Sequence, residues 1–253
     1  MRWRSVRAVL FLALGLLAHA VGIGQYYNFP RLPPAAQYGN VLINRTSQEN
    51  KVKPVGFSHW SHRQRHTCRV CHLELNFGMK VNTTEISEKA NQDGQYCGSA
   101  GCHDGKAAFG HSQENCDKCH SGQLQQGTKE FTLLKGFPKS RFGNLIDWNK
   151  SLLAGLIKPK DHLISPRADM PLDSTLELQA EWYGIPPAIF AHAAHAPWLD
   201  CADCHPAVFN VEKKTTRHFS MAENLDGKFC GMCHLTVAFP LQDCKRCHPA
   251  IVM

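Results

Sequence analysis

The sequence predicts a mainly irregular chain with short α-helices, organised as two similar units in tandem around an interior that aliphatic side chains do not supply. Three observations carry that prediction. Hydrophobic residues make up 43% of the 253, and 19 glycines with 14 prolines interrupt regular structure, so material for a large aliphatic core is short. All twelve cysteines stand in pairs followed directly by histidine. A block of sequence around those pairs recurs 133 positions further on.

Along the chain, Met1 to Arg7 carries three arginines and no acid, Ala8 to Leu17 is apolar, and Ala18-His19-Ala20 is a small-x-small cleavage site. Residues 1–20 are therefore expected to be an export signal that places the chain in the periplasm or otherwise outside the cytoplasm. A retained anchor is the competing expectation, because the apolar run extends through Gly24, although that is short for the roughly 20 residues of a spanning helix. No cysteine precedes Cys68, so a lipid-modified N-terminal cysteine is not expected. Residues 21–52, with Pro30, Pro33, Pro34 and a polar run from Asn44 to Asn50, read as an extended arm.

Five Cys-x-x-Cys-His motifs follow: Cys68/Cys71/His72, Cys116/Cys119/His120, Cys201/Cys204/His205, Cys230/Cys233/His234 and Cys244/Cys247/His248. Cys97 and Cys102 precede His103 in the same order with four intervening residues, Gly98 and Gly101 among them. Random ordering of this composition gives roughly 0.03 such motifs, so the pattern reports chemistry. Two thiols three positions apart reach the two vinyl groups on one edge of a haem, and the histidine after the second thiol is directed beneath the ring toward iron. Zinc ribbons do not require a histidine after every pair, a disulfide scaffold leaves the histidines unexplained, and thioredoxin-like chemistry needs one pair. Six covalently attached c-type haems are the expected cofactors, bound by those twelve cysteines, with His72, His103, His120, His205, His234 and His248 as fifth iron ligands.

An electron-carrying haem also needs a sixth ligand, since six-coordinate low-spin iron changes geometry little on reduction. Phe57-x-His59-x-x-His62 and Phe190-x-His192-x-x-His195 stand at one fixed distance ahead of the Cys68 and Cys201 motifs, which makes His59, His62, His192 and His195 the natural suppliers. Adding 133 maps Phe57 on Phe190, Cys68 on Cys201, Asn91 on Asn224 and Cys97 on Cys230 without a gap, and register is lost only beyond Cys97.

These blocks and motifs resemble class III multihaem c-type cytochromes, the small trihaem and tetrahaem electron carriers. The resemblance implies a haem-cored tandem trihaem architecture, with units at 53–120 and 188–253 and a linker at 121–187. It also implies that His59 pairs with His72, His62 with His103, His192 with His205 and His195 with His234. In the resembled trihaem proteins the third sixth ligand lies between the first and second motifs, where the second half offers His218 or Met221. The first half departs from that pattern, with Glu85 in the place of His218, so the His120 haem is left with His111, His162, Met79 or an open position. His111 ranks first because it stands shortly before its motif.

Within the linker, Asp147 begins a stretch with apolar residues at 148, 152, 153, 156 and 157, which predicts a helix near 147–157 that joins the halves or packs Trp148 over a haem edge. The formal charge of +7 includes three signal arginines. Propionates bring the expected holoprotein to about −2 oxidised and about −8 reduced, so no nucleic-acid partner is implied. Basic residues near the motifs, Arg63, Arg65, Arg69, Lys118, Lys245 and Arg246, are expected to offset propionates or to form a redox-partner surface. Function is expected to be electron transfer through closely packed haems, between a membrane or periplasmic donor and a terminal or extracellular acceptor in anaerobic respiration. The expected partners are redox proteins: a membrane oxidoreductase and other multihaem cytochromes. The alternative is a multihaem reductase for nitrite, hydroxylamine or a sulfur oxyanion, with an open site at His120. A third option, quinol oxidation, needs the N-terminal segment retained in a membrane.

Overall fold

The computed structural model describes residues 27–168, 173–180, 184–209 and 220–252; the expected export signal and His218 lie outside them. Residues 32–251 form one compact body. Residues 27–31 and Val252 belong to a second, in which Tyr27 and Phe29 meet edge-on at 6.4 Å.

Regular structure is short, as the composition predicts. Two antiparallel hairpins are the sheets among the described residues. β1 (Asn40–Ile43) pairs with β2 (Val55–Ser58), Asn40 opposite Ser58. β3 (Thr175–Leu178) pairs with β4 (Ala188–Ala191), Thr175 opposite Ala191. β2 runs directly into the helical turn His59–His62 and β4 into the turn His192–His195, so each hairpin delivers its two histidines at a fixed angle. β1 falls in the stretch expected as an extended arm, and its pairing with β2 makes it the outer strand of the first hairpin.

Each of the six motifs carries one helical turn: Val70–Glu74, Tyr96–Gly98, Cys116–Cys119, Cys201–Asp203, Gly231–His234 and Cys244–Cys247. The linker helix spans Trp148–Leu153, capped by Asp147, whose carboxylate accepts from the Lys150 N–H. It ends four residues before the predicted limit, because Gly155 takes a φ of +69° and turns the chain out of the helix. Leu153 is left 85% exposed while Ile157 is buried. A small core of Trp60, Leu134 and Ile146 is flanked by Phe131, Phe137 and Trp148. All of these except Trp60 lie between the two motif-bearing halves, so that segment supplies packing as well as a connection.

The halves are joined by a buried ion network. Arg69, inside the first motif, pairs with Glu74 at 2.7 Å and with Asp200 of the second half at 3.0 Å, and its backbone N–H donates to the Trp198 carbonyl. Glu74 in turn accepts the N–H groups of Leu163, Ile164 and Ser165. Burial raises the Glu74 pKa, but these N–H donors and Arg69 outweigh it and hold the carboxyl below the usual glutamate range. Its contribution is therefore complete above the unfolded value of about 4.3 and is lost as pH falls through the depressed folded value. Glu74→Gln is expected to cost about 3 kcal/mol at neutral pH. Denaturant unfolding followed by circular dichroism should show that loss shrinking below about pH 4, as the parent protein loses the same ion pair.

Candidate functional site

Ten histidines share one geometry. In each, Nδ1–H donates to a backbone carbonyl, which leaves Nε2 as the nitrogen available to a metal. His59 bonds Gly39 at 2.7 Å and His192 bonds Ser174 at 3.0 Å, the residues immediately before β1 and β3. His62 and His195 bond Ser58 and Ala191, the last residues of β2 and β4, at 2.8 and 3.0 Å. His72 and His205 bond Phe77 and Phe209. His103 and His234 bond Phe109 and Phe239. His120 and His248 bond Lys53 and Pro186, each two residues before its strand, both at 2.7 Å. The duplication therefore persists in space through the third motif, beyond the point at which sequence register is lost.

Ring packing repeats as closely. Phe57 lies 4.8 Å from His59 at 89° and stacks on His62 at 4.3 Å, while Phe190 lies 4.8 Å from His192 at 89° and stacks on His195 at 4.6 Å. The centres of His62 and His103 are 6.1 Å apart, and those of His195 and His234 are 6.0 Å apart. Two imidazoles on opposite sides of one metal ion, with bonds of about 2 Å and about 1 Å from nitrogen to ring centre, stand about 6 Å apart. His59 and His72 line a common cavity. For His192 and His205 the shared feature is the Nδ1 bond alone.

Electrostatics favour the ligating forms. Burial holds His59 at about 3 and His62 and His234 at about 4, so these rings are neutral at physiological pH. None of the twelve cysteines is joined in a disulfide. Burial pushes Cys71, Cys97, Cys233 and Cys247 up to about 12 and Cys204 to about 11. Neutral sulfur in an apolar setting matches an uncharged thioether and opposes a thiolate cage. Among the described residues no group of three or more His, Cys, Asp or Glu is placed to hold a bare metal ion. A cavity of about 750 Å³ is lined by Phe57, His59, His62, Cys68, Cys71 and His72 from the first half, Trp148 from between, and His195, Cys233 and His234 from the second. That size lies toward the upper end for cofactor pockets, and the donor set fits c-type haem.

Other candidates stand outside the pattern. The Nε2 of His111 is buried without an acceptor among the described residues, and the ring lies within electrostatic reach of His103. His162 directs Nδ1 at the Asp161 carboxylate, 2.6 Å away. Met79 lines the cavity, and Met221 opens the helical turn Met221–Leu225. Sequence reasoning missed the phenylalanines that supply carbonyls to the first two motifs of each half. Their signal was a phenylalanine four to six residues after each motif histidine: Phe77, Phe109, Phe209 and Phe239.

A family model described as cytochrome c7 and related cytochrome c matches residues 55–121 and 188–249. No curated protein matches. Among solved structures, the C-terminal hexahaem fragment of GSU1996 is 26% identical, covering 86% of this chain and 99% of that one, with a TM-score of 0.28. The dodecahaem cytochrome c GSU1996 is 23% identical, covering 85% and 75%, with a TM-score of 0.29.

Gly98 and Gly231, equivalent in the two halves, follow the first cysteine of the second motif. A Cβ at Gly98 would lie 1.8 Å from the Asn91 carbonyl oxygen, and one at Gly231 would lie 1.7 Å from that of Asn224. Backbone would have to move, displacing the cysteine and histidine that follow. Gly98→Ala and Gly231→Ala are each expected to cost about 3 kcal/mol, measured by denaturant unfolding, while an exposed Gly136→Ala, with nothing within 4 Å of its Cβ, stays near neutral.

Proposed function

The chain belongs to the family of cytochrome c7 and related cytochrome c, and on that premise we propose that it is a hexahaem electron carrier. Two trihaem units, 53–120 and 188–253, lie on either side of the 121–187 segment. The observation that carries this reading is the set of ten histidines with Nδ1 committed to backbone and Nε2 left for iron. Haem, when bound, supplies a one-electron ferric/ferrous couple.

The chain's residues do the rest. The paired cysteines would attach each haem, and His72, His103, His120, His205, His234 and His248 would hold its iron. His59, His62, His192 and His195 would hold the same irons as His72, His103, His205 and His234, in that order. Because a carbonyl fixes each imidazole of a pair, the rings would be held in place through a change of charge at the iron, with little rearrangement. For the His120 site we assign His111 as sixth ligand, since its buried Nε2 lacks a protein acceptor among the described residues. His218 is assigned to the His248 site, with Met221 second. Multihaem cytochromes c are generally extracytoplasmic, and among the described residues no helix is long and apolar enough to cross a membrane. The carrier is placed between a membrane oxidoreductase or another multihaem cytochrome and a terminal or extracellular acceptor in anaerobic respiration.

Mass spectrometry of the mature protein is expected to show six added haems, and its ferric spectrum to be low-spin throughout. A mass no greater than that of the bare polypeptide overturns the proposal. A high-spin band or carbon monoxide binding in the parent protein would transfer it to a reductase with an open His120 site. In His111→Ala one high-spin haem is expected to appear; an unchanged spectrum reassigns that ligand to Met79 or His162.

A further inference from the structure

Among the described residues, Arg63 carries a charge without a counter-ion. It follows His62 directly and lines the cavity between the halves. Its Nη2 donates to the Val237 carbonyl at 3.1 Å, and its guanidinium carbon stands 5.2 Å from the centre of the Trp148 ring. Its Nε is buried and meets no acceptor among the described residues. None of the ion pairs among those residues includes it. One carbonyl and one ring face do not offset the desolvation of a full positive charge; buried charges are paired.

Its neighbours sharpen the contrast. Arg246, also lining the cavity, is held by Asp147 at 3.2 Å and Asp243 at 3.0 Å. Arg69 is held by Glu74 and Asp200. Arg63 alone of the three lacks an anion among the described residues. Burial presses against its charge, and the thiols of Cys68 and Cys233, one from each half, are among the groups within its electrostatic reach. Val237 lies three residues past His234, so Arg63 stands where the first attachment site of the first half meets the second attachment site of the second. Its equivalent in the second half is Ala196, so the duplicate position supplies no cation of its own; the Ala196 carbonyl accepts instead from Arg167, which also donates to the Leu199 carbonyl.

The acid-bearing group due at this position is a haem, whose two propionates are carboxylates. Resting on the hexahaem reading, we propose that Arg63 is the binding site for a haem propionate at the seam between the halves, and that its charge favours the reduced state of the haem there. The cation stabilises an added electron through space, and the guanidinium fork matches a carboxylate geometrically.

The test compares the parent holoprotein with Arg63→Gln and with Lys129→Gln, an exposed change of equal charge. Mass spectrometry first establishes haem content, so absence of haem is read as failure of the hexahaem reading and not of this one. In spectroelectrochemical titration, Arg63→Gln with full haem content is expected to shift one component to lower potential, while Lys129→Gln leaves the titration in place and Arg63→Lys restores most of the shift. Unchanged potentials in a fully loaded Arg63→Gln overturn the proposal. If that variant does not mature, a crystal structure of the parent holoprotein decides: a propionate oxygen within hydrogen-bonding distance of Arg63 is expected, and a guanidinium that meets only Val237, Trp148 and water overturns it.

Discussion

An imidazole that is to bind iron through Nε2 must have Nδ1–H satisfied elsewhere, and this chain meets that demand with main-chain carbonyls at ten positions. The demand accounts for the irregularity of the fold. A carbonyl inside a long helix or a central strand already accepts a backbone N–H, whereas one in a loop or just outside a strand is free to accept from a side chain. Lys53 and Pro186 stand two residues ahead of their strands and the four phenylalanines follow their motifs, while Gly39 and Ser174, just before their strands, accept both the backbone N–H and the Nδ1–H of one histidine. Short elements separated by loops present many such carbonyls, and a large sheet or bundle would consume them.

The same economy shows in the interior. Among the described residues buried apolar side chains are few, and aromatic rings such as Phe57 and Phe190 lie against histidines. In the proposed holoprotein a haem face would supply the missing apolar area, as other bound groups complete a core. The large cavity among Cys68, His72, His195 and His234 belongs to the same logic.

Duplication made two similar halves, and their junction is where they differ. Arg69, Glu74 and Arg63 have Ala202, Ala207 and Ala196 as equivalents, while Asp200 answers to Thr67. The charged residues that lock the halves together therefore belong to one copy each, as an interface between non-identical surfaces requires. A repeated unit with identical copies could not make this contact once and stop; the asymmetry closes the pair.

Much of this molecule is decided by chemistry that is local in the chain. Two thiols and a histidine within five positions, and Phe-x-His-x-x-His ahead of them, are patterns carried by adjacent backbone, so the order of residues states the motifs, the duplication and the short-helix fold. The partners of Nδ1 are of another kind: every residue owns a carbonyl, and nothing in Lys53 or Pro186 marks it as the acceptor for a histidine more than 60 positions away. Likewise the helical periodicity of 148–157 did not reveal that Gly155 ends the helix early, nor did the polar run near Asn44 reveal a strand just before it. Those features, and the isolation of the Arg63 charge, arise from which loops meet in space, and that is settled by tertiary packing because the groups involved are common to all residues or separated far along the chain.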